Sequence, residues 1–237
     1  MTWFSRLFPG HSAQLQALTS GQQQAVAAWQ QLPAADLRRS HYRCRYVLVD
    51  VEASLGSAPA EAPAAVAAVA VVDGRIDFRD AFEVTLVDPE RRAPAAGGQT
   101  ERRAGEESGG IGASDALVAL IRFIGKAPLV SYNVPLVAPA VEGILARSLG
   151  VDLGLPWIDL AWLMPDLFRD VEPAGGLDAW LAHFGIDVIR RHDALSDAFA
   201  MAQLLQVALA RAARKGFETP ASLLDLERAR RHMHQSA

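Results

Sequence analysis

Apolar and polar positions change rhythm three times along this chain. Residues 11–39, with Leu15, Leu18, Trp29 and Leu37, carry helical spacing and no strand character, which predicts an N-terminal helical extension. At residue 45 the period shortens. Arg45-Tyr-Val-Leu-Val-Asp-Val-Glu52 is a short, largely β-branched run closed by the small and polar residues 53–58, which predicts a buried strand. A second strand is predicted over 64–72, followed by the tight-turn pair Asp73-Gly74. Beyond it Ile76, Phe78, Phe82, Val84 and Leu86 all fall on even positions, which predicts a third strand with one apolar face. Three consecutive antiparallel strands result.

From 88 to 113 the composition turns to Arg, Gly, Glu and Ala, the signature of a long loop. The helical period then takes over. Ser114 reads as the N-cap of a helix containing Leu117, Leu120, Ile121 and Ile124, and 128–132 as a fourth strand. A helix follows over about 136–149, where Pro139 is tolerable only in the first turn. Residues 157–168 and 176–184 read as shorter helical pieces, 193–214 as a long helix burying Leu195, Phe199, Ala202, Leu205, Val207 and Leu209, and Thr219-Pro220 as the start of a last helix. This order suits an α/β domain: a mixed sheet with an antiparallel start and helices on its faces.

The 237 residues suffice for one sizeable domain with extensions. No apolar stretch reaches membrane-spanning length, and the N-terminus, with Trp3, Phe4 and Phe8, lacks the apolar core and cleavage site of a signal peptide; those aromatics are expected to tuck against the domain. A single cysteine, Cys44, excludes an internal disulfide and a multi-thiolate metal site, and suits a reducing compartment, with the cytoplasm as the default. A net charge of -4 excludes nucleic-acid coating through the overall field, so any polynucleotide contact has to be local. The candidate basic patches are Arg190 and Arg191, the loop residues Arg91, Arg92, Arg102 and Arg103, and the tail residues Arg228, Arg230 and Arg231, for which solvated surface charge is the simpler reading.

Two features carry candidate chemistry. Asp50 and Glu52, one residue apart near the end of the first strand, leave the same face and repel unless solvent, a basic group or a hard divalent ion balances them. His192-Asp-Ala-Leu-Ser-Asp197 opens the long helix; there Asp193 can be a cap, and Asp197 is favoured by the helix dipole whatever the function. Each has an ordinary structural explanation. Their combination in one mixed α/β chain raises the reading of a metal site.

In these residues the chain resembles the DEDDh (DnaQ-like) 3'-5' exonuclease family over about 46–209. The family's first motif, a strand ending Asp-x-Glu-Thr-Thr-Gly, is similar to Val49-Asp-Val-Glu-Ala-Ser54, and its third, His-x-Ala-Leu-x-Asp-Ala, to His192-Asp-Ala-Leu-Ser-Asp-Ala198. Gly176-Leu-Asp-Ala-Trp-Leu181 looks like the short helix before the last motif. The second motif, His-Asn-Ala-x-Phe-Asp, is degenerate: Tyr132-Asn133-Val134-Pro135-Leu136-Val137 keeps Asn133 but has Val137 at the aspartate position. Glu142, five residues on, is turned away from the Val137 direction on a helix.

The resemblance implies a ribonuclease H-like mixed five-stranded sheet flanked by helices, with a helical extension over 1–42, the exonuclease-like domain over 43–215 and a C-terminal helix and tail over 216–237. It implies hydrolysis of the terminal phosphodiester at the 3' end of single-stranded DNA or RNA, releasing nucleoside monophosphates. Asp50, Glu52 and Asp197 would hold Mg2+ or Mn2+ in a two-metal site whose second ion is weakened by Val137, and His192 would be the general base. Ala53, Leu55 and Asn133 would touch substrate. Slowed catalysis follows from the lost ligand; an inactive domain that binds nucleic acid or protein is the alternative. The N-terminal helices, rich in Gln and Ala, are a candidate protein-docking surface, although packing on the domain is the commoner fate of such a stripe.

Overall fold

The computed structural model describes residues 18–53, 63–85, 113–171 and 175–235. Five strands, β1 (Arg45–Ala53), β2 (Pro63–Val72), β3 (Arg75–Thr85), β4 (Leu129–Ser131) and β5 (Trp157–Asp159), form one sheet in the order β3-β2-β1-β4-β5. β1 pairs antiparallel with β2, and β2 with β3, whereas β1–β4 and β4–β5 are parallel. This is the mixed five-stranded sheet with an antiparallel start that the order of elements predicts. Around it, among the described residues, lie α1 (Ser20–Gln30), α2 (Ala113–Ile124), α3 (Val134–Leu149), α4 (Leu160–Leu167), α5 (Gly176–His183), α6 (Ala194–Arg214) and α7 (Pro220–Gln235). No helix among the described residues is long and apolar enough to cross a membrane.

Strand alternation sorts the core into two layers. Tyr46 and Leu48 of β1, with Val69 and Val71 of β2, pack against Met201, Leu204, Leu205 and Leu209 of α6. Val47, Val49 and Val66 face the other way, onto Leu117 and Ile121 of α2 and the stripe Val137, Val141, Leu145 and Leu149 of α3. Asp50 and Glu52 therefore belong to the α6 face of the sheet.

Four expectations need correction. Trp157–Asp159, within a piece that reads as helical, is instead β5, paired through Leu129↔Trp157, Val130↔Ile158 and Ser131↔Asp159; the helix starts only at Leu160. Three residues are too short a strand to show a period. β3 does not keep one apolar face. Its pairing slips between Ile76↔Val71 and Ala81↔Val69, so the bulge sends Ile76 and Ala81 to the α6 layer but Phe82 and Val84 to the α2 layer, and leaves Phe78 73% exposed. α3 begins at Val134, ahead of Pro135, and carries Pro139 inside it, beyond the first turn. The described part of the extension is α-helical only over Ser20–Gln30, closed at its start by a Thr19–Gln22 capping box. There Val26 and Trp29 pack with the α2–α3 layer, and Trp29 Nε1 donates to Gly125 O at 2.7 Å. Two smaller points concern boundaries: α2 starts at Ala113, placing Ser114 in its first turn, and Leu55, Leu86, Trp3, Phe4, Phe8 and the 88–112 arginines lie outside the described residues.

Two arginines of the tail are also not solvated charge. Arg230 reaches the buried Asp166 at 3.0 Å, and Arg231 reaches Glu227 at 2.7 Å and the buried Asp159 at 3.4 Å; only Arg228 makes an exposed pair, with Asp225. These contacts fasten α7 to α4 and to the end of β5.

His41, just ahead of β1, is fully buried. Its Nε2 lies 2.9 Å from Phe217 O, so this nitrogen carries the proton and donates, leaving Nδ1 to accept from the Tyr46 hydroxyl at 2.6 Å. Burial holds its pKa below the ordinary 6.5. The folded chain thus keeps it neutral while the unfolded chain takes up a proton, so its stabilisation is complete above about pH 6.5 and is lost as the pH falls below that value. Replacing His41 by Ala is expected to cost about 1–3 kcal/mol in urea denaturation at pH 7.5 and to reduce the acid sensitivity below about pH 6.5.

Candidate metal centre

β1 and β4 run in parallel, so their carboxyl ends open on the same edge of the sheet, where open α/β sheets present crevices. Asp50 and Glu52 come from that end of β1. The third acid comes from α6, whose N-terminus is set by Asp193: its Oδ1 accepts Ser196 N at 2.9 Å. One turn later stands Asp197, which is 4% exposed. One carboxylate oxygen from each of Asp50, Glu52 and Asp197 lies within 4.8 Å of the other two. The pattern-level pairing of a strand Asp-x-Glu with a distant helix acid is thus a single cluster in space.

The cluster is electrostatically strained. Burial raises the Asp50 pKa to about 7, with the Asp197 charge adding to it and the Val51 amide working against it. Burial also raises Glu52, again reinforced by Asp197 and opposed by His192. Asp197 is raised by burial, against the pull of Arg191 and of the His192 amide. Its two oxygens are differently served. Oδ2 accepts from Arg191 Nη1 and from His192 N at 3.3 Å, while Oδ1 is buried without a partner. A buried carboxylate oxygen left unpaired beside two further carboxyls is the donor set that a hard divalent ion requires, so these residues fit Mg2+ or Mn2+.

His192 is exposed and holds a left-handed φ of 60°, which a non-glycine residue adopts at a cost of about 1–3 kcal/mol. Its imidazole acts electrostatically on both Glu52 and Asp197, at the solvent side of the cluster. Arg191 does not behave as a free phosphate contact. Its Nε reaches Asp178 of α5 at 2.6 Å and its Nη1 reaches Asp197, so the guanidinium ties α5 to the acids. Arg190 is exposed, with no side-chain partner among the described residues.

Asn133, in the left-handed region at φ 70°, caps α3 on the same edge of the sheet. Its amide and that of Val134 donate to the two oxygens of Asp159, at 2.9 and 3.1 Å, and Ala161 N donates to Oδ1 at 3.0 Å. Asp159, buried and paired with Arg231, anchors the second-motif segment from below; sequence reading misses it because it falls within the 157–168 stretch that reads as helical. Ala53 ends β1. Val137 is 3% exposed and lies in the α2–α3 core layer with Val49, whereas the acids leave β1 on the α6 face. Glu142 is no substitute ligand, since its Oε1 accepts Trp157 Nε1 at 2.7 Å.

Register also exposes an acid that motif reading misses. Asp50 pairs with Ala67 and Ala67 with Glu83, so Glu83 stands on the same face two strands away; burial and the neighbouring Asp193 raise its pKa.

No family model matches the chain, and no curated protein does. Among solved structures, it is similar to Escherichia coli Exonuclease I in complex with a dT13 oligonucleotide, at 15% identity and a TM-score of 0.48 over 73% of this chain and 42% of that one. The zinc-bound form of the E. coli ExoI–ssDNA complex gives 18% identity and a TM-score of 0.48 over the same shares. The complex with a dA16 oligonucleotide gives 16% identity and a TM-score of 0.48 over 77% of this chain and 42% of that one. The chain thus spans well under half the length of these structures.

Proposed function

We propose that this chain is a divalent-metal-dependent 3'-5' exonuclease acting on single-stranded DNA or RNA, working slowly because its second motif lacks the aspartate. The observation that carries the reading is the convergence of Asp50, Glu52 and Asp197 around the unpartnered Asp197 Oδ1. Mg2+ or Mn2+ bound there would supply charge neutralisation at the scissile phosphate and a more acidic water. Asp50 and Glu52 provide the fixed strand side of the site and Asp197 the helix side, with Arg191 and the His192 amide fixing the latter's orientation through Oδ2. The exposed His192 imidazole is assigned the role of taking a proton from water, which imidazole chemistry suits. Asn133, at the same edge, is proposed to contact the terminal nucleotide, along with Ala53 and Leu55.

A second reading has its own observation. Arg191 already sets a positive charge against Asp197, so the acids are partly neutralised with no ion bound, as befits a domain that holds nucleic acid without cutting it. Purified protein incubated with 5'-labelled single strands and Mg2+ or Mn2+ separates the two. Shortening from the 3' end that disappears with chelator and in Asp50→Ala is expected, with about 100-fold or more lost in the variant. No shortening above the variant, together with strand binding that survives chelator, assigns the binding domain.

A further inference from the structure

The amino ends of the same strands border a second feature, unconnected with the acid cluster. A groove of about 530 Å³ lies where the 31–45 segment meets the end of α2, within the range of about 300–1,000 Å³ typical of small-molecule pockets. In a chain whose net charge is -4, this groove is lined by five cations, Arg39, Arg43, Arg45, Arg122 and Lys126, against two acids, Asp36 and Asp80.

Both acids are engaged. Asp80 pairs with Arg45 at 3.4 Å, and Asp36 Oδ1 accepts Arg38 N at 3.0 Å. The carbonyl end of α2, which would repel an anion, is partly covered: Ile124 O accepts from Arg45 Nη1 and Gly125 O from Trp29 Nε1. Lys126 is held in place with its ammonium 3.2 Å from the centroid of the Trp29 ring. The guanidinium groups of Arg39, Arg43 and Arg122 have no hydrogen-bond or ion-pair partner among the described residues, and all three are exposed. Three uncommitted forks facing one concavity focus positive potential there, and guanidinium matches phosphate in geometry. The walls between them include Pro33, Leu37 and Phe123, which keep exposed apolar surface against which a planar base can lie.

We propose that this groove binds a nucleoside phosphate, the phosphate held by Arg39, Arg43 and Arg122 and the base lodged on the apolar wall. β1 runs from Arg45 at the groove to Asp50 in the acid cluster, five residues that span roughly 17 Å in an extended strand, so one nucleotide cannot occupy both places. The proposal does not depend on the exonuclease reading.

Phosphate groups at this groove could come from a free nucleotide or from the backbone of a strand, and calorimetric titration of the full chain with adenosine 5'-monophosphate and, separately, with oligothymidylate tells them apart. The charge-reversed variant Arg39→Glu/Arg43→Glu/Arg122→Glu is compared with wild type and with Asp50→Ala, folding being checked by circular dichroism; Arg122→Gln alone serves if the triple variant does not fold. Mononucleotide binding that weakens about tenfold or more in the triple variant, falls with added salt and is unchanged in Asp50→Ala is expected. A loss confined to the oligonucleotide assigns the groove to strand phosphates and rejects the free nucleotide. Wild type binding neither ligand, or the arginine variants binding both as wild type does, overturns the site.

Discussion

Asp50→Asn is expected to make the metal-free protein more stable at pH 8 while removing its divalent-ion binding. The side chain keeps its shape and loses only its charge. With its pKa raised from 3.8 to about 7, Asp50 stays protonated in the folded chain over a range where the unfolded chain has already released the proton. Its contribution to stability is therefore complete below about pH 4 and lost as the pH rises through about 7. A shift of this size corresponds to about 4 kcal/mol at most, and sharing of charge with Asp197 and Glu52 reduces the expected gain to about 2 kcal/mol. Urea denaturation in chelator at pH 8 measures it. A variant less stable than wild type by a similar amount would show that the acids are already neutralised. The same titration makes ion binding strongly pH-dependent: because the ligands must shed their protons first, affinity is expected to climb steeply between about pH 6 and 8.

Val137→Asp, which restores the spelling of the second motif, is expected to damage the protein rather than repair it. Val137 continues the α3 stripe through Val141, Leu145 and Leu149 and packs with Val49, on the side of β1 opposite to Asp50. A carboxylate placed there is surrounded by the apolar side chains of this layer and costs roughly 3–5 kcal/mol, enough to unfold a marginal domain. The thermal midpoint and the Mn2+ stoichiometry of the variant check this. Unchanged stability with one additional ion bound would mean that the position opens on the acid cluster after all.

How far the sequence carried the structure follows from which signals are local. β1, β2 and the 194–214 helix announce themselves because many residues repeat one period, and the acids of Asp50, Glu52 and Asp197 were legible because chain direction and spacing fix where they point. β5 was not, since its three residues become a strand only by pairing with β4. The face reversal in β3 was hidden for a related reason: a bulge is set by the partner strand's register, and the even-position pattern of Ile76, Phe82 and Val84 survives it unchanged. Long-range ion pairs left no mark at all. Arg191 reads as a candidate phosphate contact and Arg231 as solvated charge because Asp178, Asp197, Glu227 and Asp159 reach them only after the helices have packed.

The most direct test is a calorimetric titration of the purified chain with Mn2+ at pH 8, in parallel with Asp197→Asn. Saturable uptake of at least one ion per chain, absent from the variant although it remains folded, is the result expected of three carboxylates sharing one pocket. No uptake by wild type even at millimolar Mn2+, or equal uptake by both proteins, would contradict it.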